Sequence, residues 1–248
     1  RREVTRQKLA GVETALALFV SQNRRLPCPA DGRLASDGAN AGLARPTAAG
    51  ACDVVTGTAN SQTHGVVPWR TLGLAESDVT DGWGNRMTYR VAPELVATDT
   101  MNLTNCDPGG SNPTLSGGLC DAACSSTSFP GGCNAPQTYT TNKGLKVRNL
   151  NATVTLIMSP GLNPSTGAAY VVISHGENGG GAYNAQGVLQ AGSPASGTLE
   201  ANNNSAAIVF NHALSTALAD ANAFVDDFPV YADGNGHFDD FVLRPSIL

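Results

Sequence analysis

From residue 4 to residue 20 the chain repeats apolar side chains at intervals of three and four. Val4, Leu9, Val12, Leu16, Phe19 and Val20 make one stripe, the period of an amphipathic helix. Ala10, Ala15 and Ala17 add helix propensity, and Pro27 and Pro29 set the end of the pattern near Asn23. Short strand-like runs then recur to the last residue. The chain therefore reads as a compact α+β domain, loop-rich because it carries 28 Gly and 14 Pro with only 14 % charged residues. No domain linker or internal repeat interrupts it, so residues 1–248 read as one domain.

The start of this helix is unusual. Arg1, Arg2 and Arg6 crowd the end where the helix dipole is positive, and no capping side chain precedes Val4. One reading is an ordinary helix with a frayed end. The simpler one is that residues 1–25 are the lower half of a longer stem whose apolar upper half is a membrane anchor. Those residues carry a net +4, the rest of the chain −9. A basic stem on an acidic body is not the basic groove of a nucleic-acid-binding domain, and aromatic residues, at 6 %, are too sparse for stacking platforms.

Six cysteines, Cys28, Cys52, Cys106, Cys120, Cys124 and Cys133, form an even set without CxxC spacing or a nearby histidine. Disulfides in an exported protein suit them better than a tetrahedral zinc site. The sequence leaves the pairing open; Cys28–Cys52 closing one loop, with the other four paired inside a 99–142 insertion, is the expectation. Residues 81–92 read as a turn feeding a strand with Met87, Tyr89 and Val91 on one face, with Asn85 a residue able to tolerate the left-handed conformation before it. Residues 153–159 and 169–174 read as an antiparallel hairpin, and 206–225 as a helix with Leu214, Ala217, Leu218, Ala221, Phe224 and Val225 on one side. The segment 228–231, the turn at 233–237 and a strand at 238–244 close the chain.

Five pieces, taken in order, resemble one family. They are the helix running into LPCPADGRL (26–34), GVVPWRTLGL (65–74), DGWGNRMTYRV (81–91), YVVISHGENGGGAY (170–183) and HFDDFVL (237–243). Together they are similar to type IV pilin-like proteins and type II secretion pseudopilins. The resemblance implies a pilin-like fold, an N-terminal helix packed on an antiparallel sheet, here with long disulfide-stapled loops. It also implies a minor pilin or pseudopilin that is structural, not an enzyme. Other subunits would be bound through the helix, and the inner membrane through a segment upstream of residue 1. The domain would lie in the periplasm of a Gram-negative bacterium and then in a filament. The family's cleavage site, first residue and early glutamate are absent, and the 99–142 and 188–225 regions fall outside the resemblance. An exported adhesin-like module presenting its loops to a surface, glycan or DNA is the alternative.

Chemistry is sparse. Ser174 and His175 are adjacent, so on a strand they face opposite ways, and no GxSxG elbow surrounds them. The glycines at 179–181 lack a Walker lysine. The best candidate is Asp233, Asn235, Asp239 and Asp240, whose alternating oxygens in a Gly-bent turn suit calcium, a hard cation taking roughly six to eight oxygens. Structural calcium near the C-terminal sheet is also what the resemblance implies. Trp69 and Trp83 read as core anchors.

Overall fold

The computed structural model describes residues 1–53, 62–101, 140, 142–151, 153, 155–162, 165–190, 200–204, 219–232 and 236–247. Cys106, Cys120, Cys124, Cys133, Asp233, Asn235, Leu214, Ala217 and Leu218 lie outside the described residues. The architecture is α+β, one N-terminal helix with a mainly antiparallel set of strands. Helix α1 runs Arg2–Asn23 and ends on Arg24 in the left-handed conformation, without a side-chain cap at Arg1. Its buried stripe is Thr5, Leu9, Val12 and Leu16. Thr5 replaces Val4, which stays 44 % exposed, because the first turn meets polar backbone. The Gly82 amide donates to the Thr5 hydroxyl, which donates to the Arg1 carbonyl. Gly82 sits so close to Arg1 that a Cβ there would collide with the helix backbone. That close approach is what the first glycine of the DGWGN segment provides. No helix among the described residues is long and apolar enough to cross a membrane.

The larger sheet has the order β1-β2-β3-β6-β8, all neighbours antiparallel. Its strands are β1 (Ala30–Asp31), β2 (Gly65–Val66), β3 (Thr88–Val91), β6 (Tyr170–Ser174) and β8 (Phe241–Leu243). The smaller sheet, β5-β4-β7, pairs β4 (Val147–Arg148) antiparallel with β5 (Leu156–Met158) and parallel with β7 (Phe224–Val225). Ala168 joins the two sheets by bridging both Leu145 and Ser246. Leu9, Val12 and Leu16 belong to the same core cluster as Tyr89, Val91 and Tyr170–Ile173.

Two expectations are overturned. Residues 153–159 and 169–174 do not pair with each other. The turn between them does close, through Thr166 and Ser159, but the strands then enter different sheets. Every residue of β6 is buried, whereas β5 leaves Ile157 exposed. A run that is apolar on both faces belongs in the middle of a sheet, and β6 accordingly lies between β3 and β8. The helix expected at 206–225 also fails over its described part. Asp220–Asn222 is a short 3-10 turn, and Phe224 and Val225 form β7. The Asn203 amide bonds both the N–H and the carbonyl of Val225, fixing it in extended form.

The long loops are held by specific ties. Cys28 and Cys52 are disulfide-bonded, as expected. Arg86 is buried, stacks on Trp69, pairs with Glu76 and donates to Gly32, Leu34, Ser36 and Ala185. All its polar capacity is thus used inside the fold. Trp69 is buried, Trp83 half-buried against Phe241. Asn85 is not left-handed; Gly84 is, at φ 94°.

Candidate functional site

Two of the five motifs converge where β6 ends and β8 begins. After Ser174 the chain turns through His175–Gly181, and Gly176, at φ 61°, lies against Asp239 with no room for a Cβ. The Glu177 amide donates to Asp239 Oδ2 at 2.6 Å. Glu200 arrives from the 3-10 turn Glu200–Asn203. Its carboxylate accepts from the Asp239 amide and the Asn178 side chain. His237 Nε2 stands 3.5 Å from Asp239 Oδ2. One ligand atom from each of Glu200, His237 and Asp239 lies within 4.8 Å of the others, a group able to hold a metal ion.

Behind it is Asp240. One of its oxygens accepts from Asn203 at 2.8 Å; the other is buried with no hydrogen-bond partner, as is Asp239 Oδ1. Buried carboxylate oxygens without partners are costly, and a bound cation is one way to satisfy them. Burial pushes Glu200 upward, and pushes Asp240 well above the carboxylate range, with the charges of Glu200 and Asp239 adding to the effect on Asp240. A divalent cation would reverse that penalty.

His175 lies 4.0 Å from Asp240, but the two do not form an ion pair. Burial, reinforced by the charge of Arg90, lowers the imidazole to about 3, so it is neutral at pH 7, while burial raises Asp240 well above the carboxylate range. His175 Nε2 instead meets the Thr88 hydroxyl at 2.8 Å. Ser174 donates to Asp81 at 2.7 Å, on the other face of the strand. The adjacent serine and histidine therefore have different partners and make no nucleophile–base pair.

Of the residues proposed from sequence as cation ligands, Asp239 is in the metal-competent group. Asp240 is its buried neighbour with separate partners, and Asp233 and Asn235 fall outside the described residues. Glu200 was missed: it lies far from Asp239 along the chain and carries no local motif. Only the Asn-rich run after it, whose Asn203 locks β7 and Asp240 together, hints at a structured turn. A scan against family models finds no match, and no curated protein or solved structure matches the chain.

Proposed function

We propose that this chain is a structural subunit, a minor pilin or pseudopilin, of a type IV pilus or type II secretion-like filament. It would join neighbouring subunits through α1, with its domain exported to the periplasm. The observation that carries the reading is the one-sided use of that helix. Over 22 residues α1 buries only Thr5, Leu9, Val12 and Leu16 in its own domain, and Leu18, 56 % exposed, stands on the uncovered side. A helix that gives one stripe to its own core leaves its remaining surface open to neighbours, and an exposed leucine there is available for packing. The motif-bearing Gly82 meets the start of that helix, so the resembling segments hold it on the sheet.

The test is Leu18→Cys in the protein produced by its native host. Disulfide-linked oligomers that fractionate with sheared filaments are expected, and Leu18→Asp should lower the filament-bound fraction at least about tenfold, a buried leucine contact being worth roughly 1.5–3 kcal/mol. Monomers confined to the soluble fraction, with Leu18→Asp without effect, would overturn the reading.

The cation we assign to the C-terminal site is calcium. Two buried carboxylates, Glu200 and Asp239, stand with one half-buried imidazole, a third buried carboxylate, Asp240, lies behind them, and oxygen-rich sets favour a hard ion. In chelator-treated protein, calcium at about 100 times its dissociation constant should add about 2.7 kcal/mol, raising the melting temperature by roughly 5–10 °C. Asp239→Asn should remove most of that shift. A response to zinc but not calcium would transfer the site to a softer ion; no response to either would end the assignment.

A further inference from the structure

We propose that the end of the domain at which α1 begins rests directly on an anionic phospholipid surface, whether or not the chain enters a filament. The first eight residues carry four basic side chains, Arg1, Arg2, Arg6 and Lys8, against Glu3 alone. Two of these arginines are combined with aromatic rings from the C-terminal part of the chain. The Arg2 guanidinium lies 4.7 Å over the ring of Tyr231, and that of Arg6 lies 5.6 Å over Phe241. Phe241 in turn stands 6.0 Å from Trp83, and Tyr231 is 5.9 Å from His237. Tyr231 remains 55 % exposed and its neighbour Val230 42 % exposed.

Arginine paired with tyrosine and phenylalanine, with a tryptophan next to the phenylalanine and exposed apolar side chains nearby, is the chemistry of a membrane interface. Rings with one apolar body and one polar edge settle at headgroup depth, while guanidinium groups bind lipid phosphate. Charge complementarity selects an anionic bilayer over a neutral one. Of the acidic groups beside it, Asp239, Asp240 and Asp81 are buried, while Glu3 and, on the 3-10 turn Glu76–Val79 packed against α1, Asp78 are exposed and reduce the positive charge without cancelling it. Single-stranded nucleic acid is the other polyanion that arginines and rings bind, but stacking needs open ring faces. Here Arg2 and Arg6 already cover a face of Tyr231 and of Phe241.

The test is co-sedimentation of the 248-residue chain with vesicles of phosphatidylcholine alone and with one part in three replaced by phosphatidylglycerol. Preferential binding to the anionic vesicles, weakened by high salt, is expected. Each basic residue near such a surface strengthens binding about fivefold, so Arg2→Gln with Arg6→Gln should lower partitioning about 30-fold. Tyr231→Ala should weaken binding to anionic vesicles even at high salt. Both arginines are exposed, and circular dichroism of the double variant verifies that the fold is kept. Equal binding to both vesicle types would overturn the proposal. So would no binding, unchanged binding of the double variant, or competition by a single-stranded oligonucleotide at lower concentration than by lipid.

Discussion

Replacing Cys28 and Cys52 together by alanine should lower the free energy of unfolding by about 3.5 kcal/mol, the loop-closure entropy of a ring of roughly 25 residues. The bond joins positions 24 residues apart. The segment it closes buries only small apolar groups, Ala30, Ala41 and Ala44, with Leu34 packed partly buried against the core. It is otherwise held by backbone bonds such as Arg45 N–H to Pro29 and Asp53 N–H to Arg45. Burial within the loop is thus too slight to replace the staple. Urea unfolding of the double variant against the parent measures the loss, and using alanine at both positions leaves no new thiol to mispair. A change below about 1 kcal/mol would mean that the loop's hydrogen bonds, not its covalent closure, hold it.

The second large effect concerns His175. Its folded-state value near 3 lies far below its ordinary one, so the folded protein binds fewer protons here than the unfolded chain. The stability this group contributes is complete above about pH 6.5 and is lost as pH falls toward 3. Between about pH 7.5 and pH 4 the loss is about 3 kcal/mol, at roughly 1.4 kcal/mol for each pH unit below 6.5. Asp81, Glu200 and Asp240 have the opposite sign. Burial raises each of them, so the folded state binds their protons more tightly than the unfolded chain does and gains stability from them as pH falls. The whole-protein curve is therefore a sum of opposed contributions. Comparison with His175→Gln isolates the histidine, since the carboxyl groups are common to both proteins. The parent should lose about 3 kcal/mol more than the variant over that range. A constant difference would show that His175 takes up its proton without opening the fold.

Much of the architecture was legible because it is local. The helix end near Asn23 follows from Pro27 and Pro29, and Cys28–Cys52 from two cysteines flanking one loop. The buried position of Trp69 follows from an apolar ring among turn residues. The failures are non-local. Nothing in the period of residues 169–174 says which strands flank them; the informative signal was that both faces are apolar, which fits a central strand better than a hairpin arm. Phe224 and Val225 follow an alanine-rich stretch with a helical period, yet β4 and the Asn203 side chain hold them extended. At the candidate site, Asp239 and Asp240 were visible as paired acids in a Gly-bent turn. Glu200 was not, because the contact is made by the fold and no spacing rule spans it.

The position of β6 sets an order on how the molecule can be made. β6 is buried on both edges only after β8, some 70 residues further along, has reached it. Until then a strand of Tyr-Val-Val-Ile-Ser presents an open, sticky border. Synthesis must therefore outrun collapse. A chain stalled between residues 175 and 240 would be a substrate for holding chaperones or proteases, and a late truncation would forfeit the whole sheet along with its last strand.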